Sequence, residues 1–207
     1  MKLYYSPGAC SLAPHIVASE SGIDLQLEKV DTKTKRTETG RDFYEINPKG
    51  YVPALELDDG QILTEGPAIQ QYLADVKPES GLAPANGTLA RYRLQEMLGY
   101  INSELHKSYS PLFSPGTPDE TKTERKDYLR KRYALLESIL ASQPWLLGER
   151  FTAADAYLYT VTNWAGYVDL DLSEFAALKE FQKRVAGRPA VRAAHEAEVV
   201  GKKAEVA

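Results

Sequence analysis

One cysteine occurs in the 207 residues, Cys10, placed between Ser6-Pro7-Gly8 and a stretch at 11–22 that reads as a helix. A thiol just ahead of a helix meets unsatisfied N–H groups and the positive end of the helix dipole. Both favour the thiolate, the nucleophilic form, so the position predicts a thiol shifted toward thiolate. Cys10-Ser11-Leu12-Ala13 holds no second cysteine, which excludes internal dithiol chemistry. One-thiol chemistry, through a mixed disulfide with another thiol, stays open. The competing reading is a small buried apolar side chain.

Two further segments carry chemistry. In Val52-Pro53 a proline stands just before a predicted strand, where it removes a ladder donor. X-Pro bonds are the ones that tolerate cis. A cis bond here exposes the Val52 N–H and C=O, which could hold an extended peptide as a strand partner. The competing reading is a trans turn proline. Thr64-Glu65-Gly66-Pro67 crosses from strand to helix. Gly66 permits close backbone approach, and a helix N-terminus binds a carboxylate. Glu65 adds a fixed negative charge suited to an ammonium group. Together they suit an amino-acid zwitterion, against the competing reading of ordinary capping.

The elements that must position these residues follow from pattern. Residues 2–5 read as a strand and 11–22 as a helix, with Ser11 as N-cap, Pro14 in the first turn and Gly22 as its stop. Residues 25–30 alternate as a second strand, which makes a parallel pair with a helical crossover. Residues 31–42 are polar without period and read as a loop with a short helix after it. Residues 54–57 and 61–63 flank Asp58-Asp59-Gly60 as a hairpin, and 65–75 reads as a helix with Pro67 near its first position. The order βαβαββα, with a mixed four-stranded sheet, predicts a thioredoxin-like domain over 1–80. The Pro/Gly-rich run through 81–87 reads as a linker.

Residues 88–207 read as an all-helical domain. Leu94, Leu98, Ile101 and Leu105 share one helix face, and Leu129, Tyr133, Leu136 and Leu140 share another. Residues 152–167 carry apolar and aromatic side chains at helical spacing. Charges alternate in sign over 119–132, as on an exposed helix face. Arg188-Pro189 starts a last helix, and the small, charged tail after Val200 is expected to fray.

Composition closes off several classes. The chain is 43% hydrophobic and 26% charged, with net charge −4. No basic stripe offers itself to nucleic acid. No apolar stretch approaches the roughly 18 residues of a membrane span, and the N-terminus is not a signal peptide. A lone cysteine and three scattered histidines make no metal site. The expectation is a cytoplasmic protein without metal.

Tyr-Tyr-Ser-Pro-Gly-Ala-Cys-Ser-Leu-Ala-Pro-His (4–15), Asn-Pro-Lys-Gly-Tyr-Val-Pro-Ala-Leu (47–55) and Leu-Thr-Glu-Gly-Pro-Ala-Ile-Gln-Gln-Tyr-Leu-Ala-Asp (63–75) resemble the beta class of bacterial glutathione S-transferases. The resemblance continues through Ser-Glu-Leu-His-Lys (103–107) and Phe-Thr-Ala-Ala-Asp-Ala-Tyr-Leu (151–158) and spans essentially the whole chain. Glutathione has a thiol, a peptide backbone and a γ-glutamyl zwitterion, which match the three segments in turn. The resemblance implies that Cys10 faces the glutathione sulfur and that Val52, with Tyr51 and Pro53 beside it, pairs with its cysteinyl backbone. Glu65 and Gly66 would hold the γ-glutamyl end, Lys35 a carboxylate, and His106 and Ser103 would come from the helical domain. Cys10, Ser11, His106 and the hydroxyl of Tyr5 are the candidates to stabilise the thiolate. Tyr109, Phe113 and Trp164 are candidate walls of an electrophile pocket, with core packing as the competing reading.

The family often carries Asn where this chain has Gly99, so a side-chain contact is lost there, and the glycine is expected to permit close helix packing. The implied activity is conjugation of glutathione to hydrophobic electrophiles, in detoxification or xenobiotic breakdown, by a homodimer. Mixed-disulfide exchange through Cys10 and a non-catalytic carrier of hydrophobic ligands are the alternatives. Thr152-Ala153-Ala154-Asp155 reads as a capping box with a folding role. His15 is expected to pack or cap in the first helix, and His195 to be solvated.

Overall fold

Periodicity predicts two kinds of structure, and a computed structural model describing residues 1–203 contains both. Side chains 200–203 and residues 204–207, where fraying is expected, lie outside that description. The chain forms two units. One comprises residues 1–83 together with the chain from Gly187 onward, and the other comprises residues 84–186. The last helix, which the sequence reading groups with the second domain, therefore packs in the first.

The first unit is built on β1 (Lys2–Tyr5), β2 (Gln26–Asp31), β3 (Arg36–Thr37), β4 (Ala54–Glu56) and β5 (Ile62–Thr64), in sheet order β3-β2-β1-β4-β5. β1 and β2 are parallel, joined through α1 (Leu12–Glu20), and every other pairing is antiparallel. Leu3 stands in register with Leu27 on one side and Leu55 on the other, so the apolar alternation sets the pairing. The sheet thus has five strands where four were expected. β3 is two residues long and leaves no period to read. The expected short helix after it is a single 3₁₀ turn, Phe43–Glu45. Helix α2 (Gly66–Val76) carries Pro67 in its first turn, where a missing N–H is harmless.

Gly22 ends α1 in the left-handed region, φ +66°. Ser11 does not cap it. Its hydroxyl donates to Ser6 O (3.2 Å) and accepts from Ser6 N–H (3.1 Å), closing the loop that leads to Cys10. A core of Tyr4, Val30, Phe43, Ile46, Val52 and Ala54, with Ala9 against it, lies where the sheet meets the 43–52 segment. It seats both Val52 and the residue before Cys10, so packing holds these segments as one body.

The last helix, α8 (Pro189–Lys203), is tied to α1 and to the Cys10 loop. Arg188 donates twice to the Glu20 carboxylate, at 2.6 and 2.7 Å. Glu198, almost wholly buried, accepts from Gly8 N–H at 3.2 Å and meets His15 Nδ1 at 3.2 Å. His195 is not solvated as expected. It is half-buried, and burial lowers its pKa, with Glu198 pulling the other way and His15 adding to the fall.

The second unit contains α3 (Leu89–Tyr100), α4 (Lys107–Phe113), α5 (Asp119–Leu140), α6 (Ala153–Thr162) and α7 (Ala176–Ala186). Thr88 caps α3 by accepting from Arg91 N–H. Leu94, Leu98, Ile101 and Leu105 are buried along one face, as their spacing predicts. Between α3 and α4 the backbone widens into a π-helical turn, Ile101–His106. Such turns recur at functional sites. Glu104 in this turn accepts from the Tyr128 hydroxyl and pairs with Arg132, 2.9 Å away on α5. Gly99 does not serve close packing: a Cβ there would meet nothing within 4 Å.

Candidate functional site

In the first unit the fold brings Cys10 to Val52. The thiol donates to the Val52 carbonyl oxygen at 3.3 Å, and the Val52–Pro53 bond is cis. The Val52 N–H has no partner among the described residues, so half of a strand-like edge is open. Asn47, buried, shapes this segment: its Nδ2 donates to Tyr51 O at 2.8 Å and its Oδ1 accepts from Lys49 N–H. The Tyr51 side chain is exposed. Lys35, itself in the left-handed region, places its ammonium 2.7 Å from Gly50 O, one residue from Tyr51.

The expected thiolate is overturned. Burial pushes the Cys10 thiol up to about 12. The N–H groups of Cys10 and Ser11 do aim at the sulfur and oppose the shift, but the charge of Glu65 adds to it. Two N–H dipoles at a helix start are too few to offset the lost hydration of a sulfur anion. Cys10 is therefore a neutral hydrogen-bond donor at physiological pH. Iodoacetamide is expected to alkylate it at pH 8 about a thousandfold more slowly than an ordinary cysteine, judged by mass-spectrometric rates on the native protein. Alkylation at the ordinary rate would refute the neutral thiol.

Glu65 adopts φ 71°, ψ 114°, a region that residues with a Cβ avoid. Its backbone carbonyl accepts from Ala68 and Ile69 N–H and so starts α2, while its side chain makes no cap. The carboxylate stands out toward solvent, paired with Lys49 Nζ at 2.5 Å. Ordinary capping thus does not account for this side chain. Gly66 follows as the first residue of α2, with room for a Cβ in ordinary contact with Pro53 and Gln70. Tyr5 is buried in β1, and burial, with the charges of Glu38 and Glu198, raises its pKa. Ser11, fully buried, gives its hydroxyl to Ser6.

In the second unit His106 Nδ1 lies 2.6 Å from the Tyr157 hydroxyl, which donates to Asn102 Oδ1 at 2.9 Å. The His106 ring meets Trp164 edge-on at 4.8 Å. Trp164 in turn meets Tyr109 at 5.6 Å and Phe113 at 5.9 Å, so the three candidate wall residues form one aromatic cluster. Tyr109 and Trp164 are buried and Phe113 is about half exposed. The Tyr109 hydroxyl pairs with that of Tyr133 at 2.9 Å, which places Tyr109 in the core as well as in the cluster. Ser103 donates to Gly99 O at 3.1 Å.

Several participants had escaped the reading of the sequence. Lys49 and Asn47 lie inside a quoted motif but draw no notice as chemistry. Asn102 and Tyr157 are identifiable only through the wide turn that aligns them. Glu198 sits 190 positions from the Gly8 it anchors, and no local pattern marks it. Among the described residues no three His, Cys, Asp or Glu side chains gather as for a metal, and no helix is long and apolar enough to cross a membrane.

Known proteins match this arrangement along almost the whole chain. Residues 8–76 match the family described as glutathione S-transferase, N-terminal domain, and residues 100–189 match glutathione S-transferase, C-terminal domain. The chain is 49% identical to glutathione S-transferase GstA of Escherichia coli O157:H7, over 96% of its own length and 98% of that protein. It superposes with TM-score 0.93 on a sphingomonad glutathione S-transferase solved with glutathione, at 48% identity over 96% and 98% of the two chains. A beta-class enzyme from Sphingomonas chungbukensis gives the same TM-score and coverage at 46% identity.

Proposed function

The chain belongs to the glutathione S-transferase family, within its bacterial beta class, and from that premise we propose how its own residues divide the work. The first unit holds glutathione. The Val52 N–H and C=O pair with the cysteinyl backbone, Glu65 takes the γ-glutamyl ammonium, and the first N–H groups of α2 take its carboxylate. Lys35 reaches a carboxylate of the tripeptide. The observation that carries this reading is the 3.3 Å approach of Cys10 Sγ to Val52 O, which sets a thiol beside a peptide-pairing segment.

The second unit serves the electrophile through Tyr109, Phe113 and Trp164, which offer an apolar, aromatic surface. By the family resemblance, His106 is assigned to thiolate stabilisation and Ser103 to glutathione binding. The reaction is attack of the glutathione sulfur on an electrophilic carbon. Each unit by which the site lowers the substrate's thiol pKa corresponds to about 1.4 kcal/mol of preference for thiolate. Cys10, as a neutral S–H that turns from Val52 O to the substrate sulfur when glutathione takes the Val52 carbonyl, contributes a hydrogen bond and no nucleophile. The mixed-disulfide alternative lacks support for that reason: it needs a Cys10 thiolate, and burial opposes one. The family resemblance supports a cytoplasmic homodimer working in detoxification.

The test is glutathione titration, followed by turnover of aryl halides, epoxides, peroxides and disulfides by the wild type and by Cys10→Ser. Binding at millimolar glutathione or below is expected. Conjugation should survive Cys10→Ser with a loss of about tenfold or less, the scale of one weak hydrogen bond. A wild type that binds no glutathione at millimolar concentration overturns the reading. So does turnover confined to disulfides and abolished by Cys10→Ser.

A further inference from the structure

The Val52 N–H stands without a partner among the described residues, so whatever aims it decides where a strand-like ligand can pair. That N–H belongs to the Tyr51–Val52 peptide unit, which is trans. A trans peptide is planar, with its C=O and N–H on opposite sides. A group that holds the Tyr51 carbonyl therefore also aims the Val52 N–H. Asn47 Nδ2 holds that carbonyl, at 2.8 Å. We propose that Asn47 is a positioning residue for glutathione: it fixes the Tyr51–Val52 peptide plane so that the Val52 N–H points away from Asn47, toward the cysteinyl carbonyl of the ligand.

Asparagine suits this task by its two ends. Its Oδ1 accepts from Lys49 N–H at 3.1 Å while its Nδ2 donates to Tyr51 O, so the amide has one orientation only. An ionised aspartate has no donor to give, and alanine has neither end. The side chain is itself held in place. Asn47 is 1% exposed. Its backbone N–H donates to Phe43 O at 2.8 Å, and its carbonyl accepts from Gly50 N–H at 2.8 Å. Gly50, at φ +70°, closes this turn beneath the Tyr44 ring, which a Cβ there would overlap. Lys35 Nζ donates to Gly50 O at 2.7 Å. Phe43, Ile46 and Val52 share one core. The peptide plane thus hangs from a closed, buried frame, and an N–H aimed in advance loses less freedom when a ligand pairs with it.

The role in binding rests on the glutathione reading above. There the Val52 N–H donates to the cysteinyl carbonyl, and Val52 O accepts from the cysteinyl N–H. The two groups lie in different peptide units. Loss of the Asn47 donor frees the first unit to turn and weakens the first bond alone.

Two measurements test this. The first needs no ligand. In protein labelled with carbon and nitrogen isotopes, a scalar coupling across the hydrogen bond from Asn47 Nδ2 to the Tyr51 carbonyl carbon is expected. Its absence overturns the proposal. The second compares glutathione with an alkene isostere, in which a trans double bond replaces the Cys–Gly peptide and the cysteinyl carbonyl is gone. The wild type should bind the isostere about tenfold more weakly than glutathione, the scale of one hydrogen bond. Asn47→Asp should bind glutathione about tenfold more weakly than the wild type does, and should hold the two ligands within about twofold of each other.

A role in folding alone would weaken both ligands alike and preserve the tenfold ratio, and that result overturns the proposal. The coupling and the wild-type ratio need no variant, so they decide the matter even where Asn47→Asp folds poorly. Equal wild-type affinity for the two ligands overturns the proposal as well. A wild type that shows the coupling but binds neither ligand sinks the functional reading and leaves the peptide orientation intact.

Discussion

Asp155→Ala is expected to destabilise the protein by about 3 kcal/mol or more, well beyond the loss of an ordinary helix cap, which costs about 1 kcal/mol. Both halves of a capping box are present at the start of α6, and Asp155 is fully buried. Its Oδ2 accepts from the Thr152 N–H (2.8 Å) and the Thr152 hydroxyl (2.9 Å). Its Oδ1 accepts from Leu146 N–H at 2.8 Å, binding the preceding loop to the helix. Alanine leaves two buried backbone donors without an acceptor, and each costs about 1–3 kcal/mol. Thr152→Ala removes only the hydroxyl and should cost about 1 kcal/mol. Urea unfolding of both variants is the comparison. Equal losses would mean the Leu146 bridge contributes nothing.

The same carboxyl has a pH signature. Burial raises it to about 6, against the downward pull of the Leu146 and Thr152 donors. A folded-state pKa above the unfolded one means that the native protein holds the proton more tightly. That contribution is complete below about pH 4 and is lost as pH rises through about 6. Asp155→Asn, which cannot titrate, should therefore gain on the wild type by about 2–3 kcal/mol between pH 4 and 7. A stability difference that stays flat across this window would contradict the assignment.

Glu65→Gly separates function from stability at one position. Backbone at φ 71°, ψ 114° costs a residue with a Cβ about 1–3 kcal/mol, and glycine adopts it freely. The lost ion pair to Lys49 is about half exposed on both sides, so water screens it and its loss matters little to stability. The variant should thus be as stable as the wild type or better by about 1 kcal/mol. A charge-assisted bond to the γ-glutamyl ammonium is worth about 1.5–3 kcal/mol, so glutathione affinity should fall about 10- to 100-fold. Thermal unfolding without ligand and calorimetric titration read the two effects separately. Unchanged affinity would remove Glu65 from the binding site.

How far these features could be read in the sequence depends on the range of the physics behind each. β1, β2 and the β4–β5 hairpin follow from alternation over a few neighbours, and α2 from Pro67 and its apolar spacing. The meeting of Cys10, Val52 and Glu65 was legible because three short motifs matched the three parts of one tripeptide. The ionisation of Cys10 was not. The helix start that favours thiolate is visible locally, whereas burial in the folded chain defeats it, and the Val52 carbonyl that takes its proton and the Glu65 charge that opposes an anion lie more than forty positions away. The wide turn at 101–106 escaped because its apolar steps, Leu98 to Ile101 to Leu105, are those of an ordinary helix. Gly99 suggested tight packing by residue type alone, but no neighbour approaches it.

The unit that carries Cys10 is discontinuous in the chain, and this sets an order on its birth. Gly8, His15 and Glu20 find their partners on Glu198 and Arg188, about 170 to 190 positions later. At about 5–20 residues per second, a ribosome needs roughly 5–20 s to make the intervening segment, residues 84–186. Throughout that interval the nascent first segment lacks its closing helix, and the intervening helical unit can fold first. Vectorial synthesis thus delivers the later-made unit complete before the earlier one, and a ribosome stalled before Arg188 would display a thiol loop with its anchor missing.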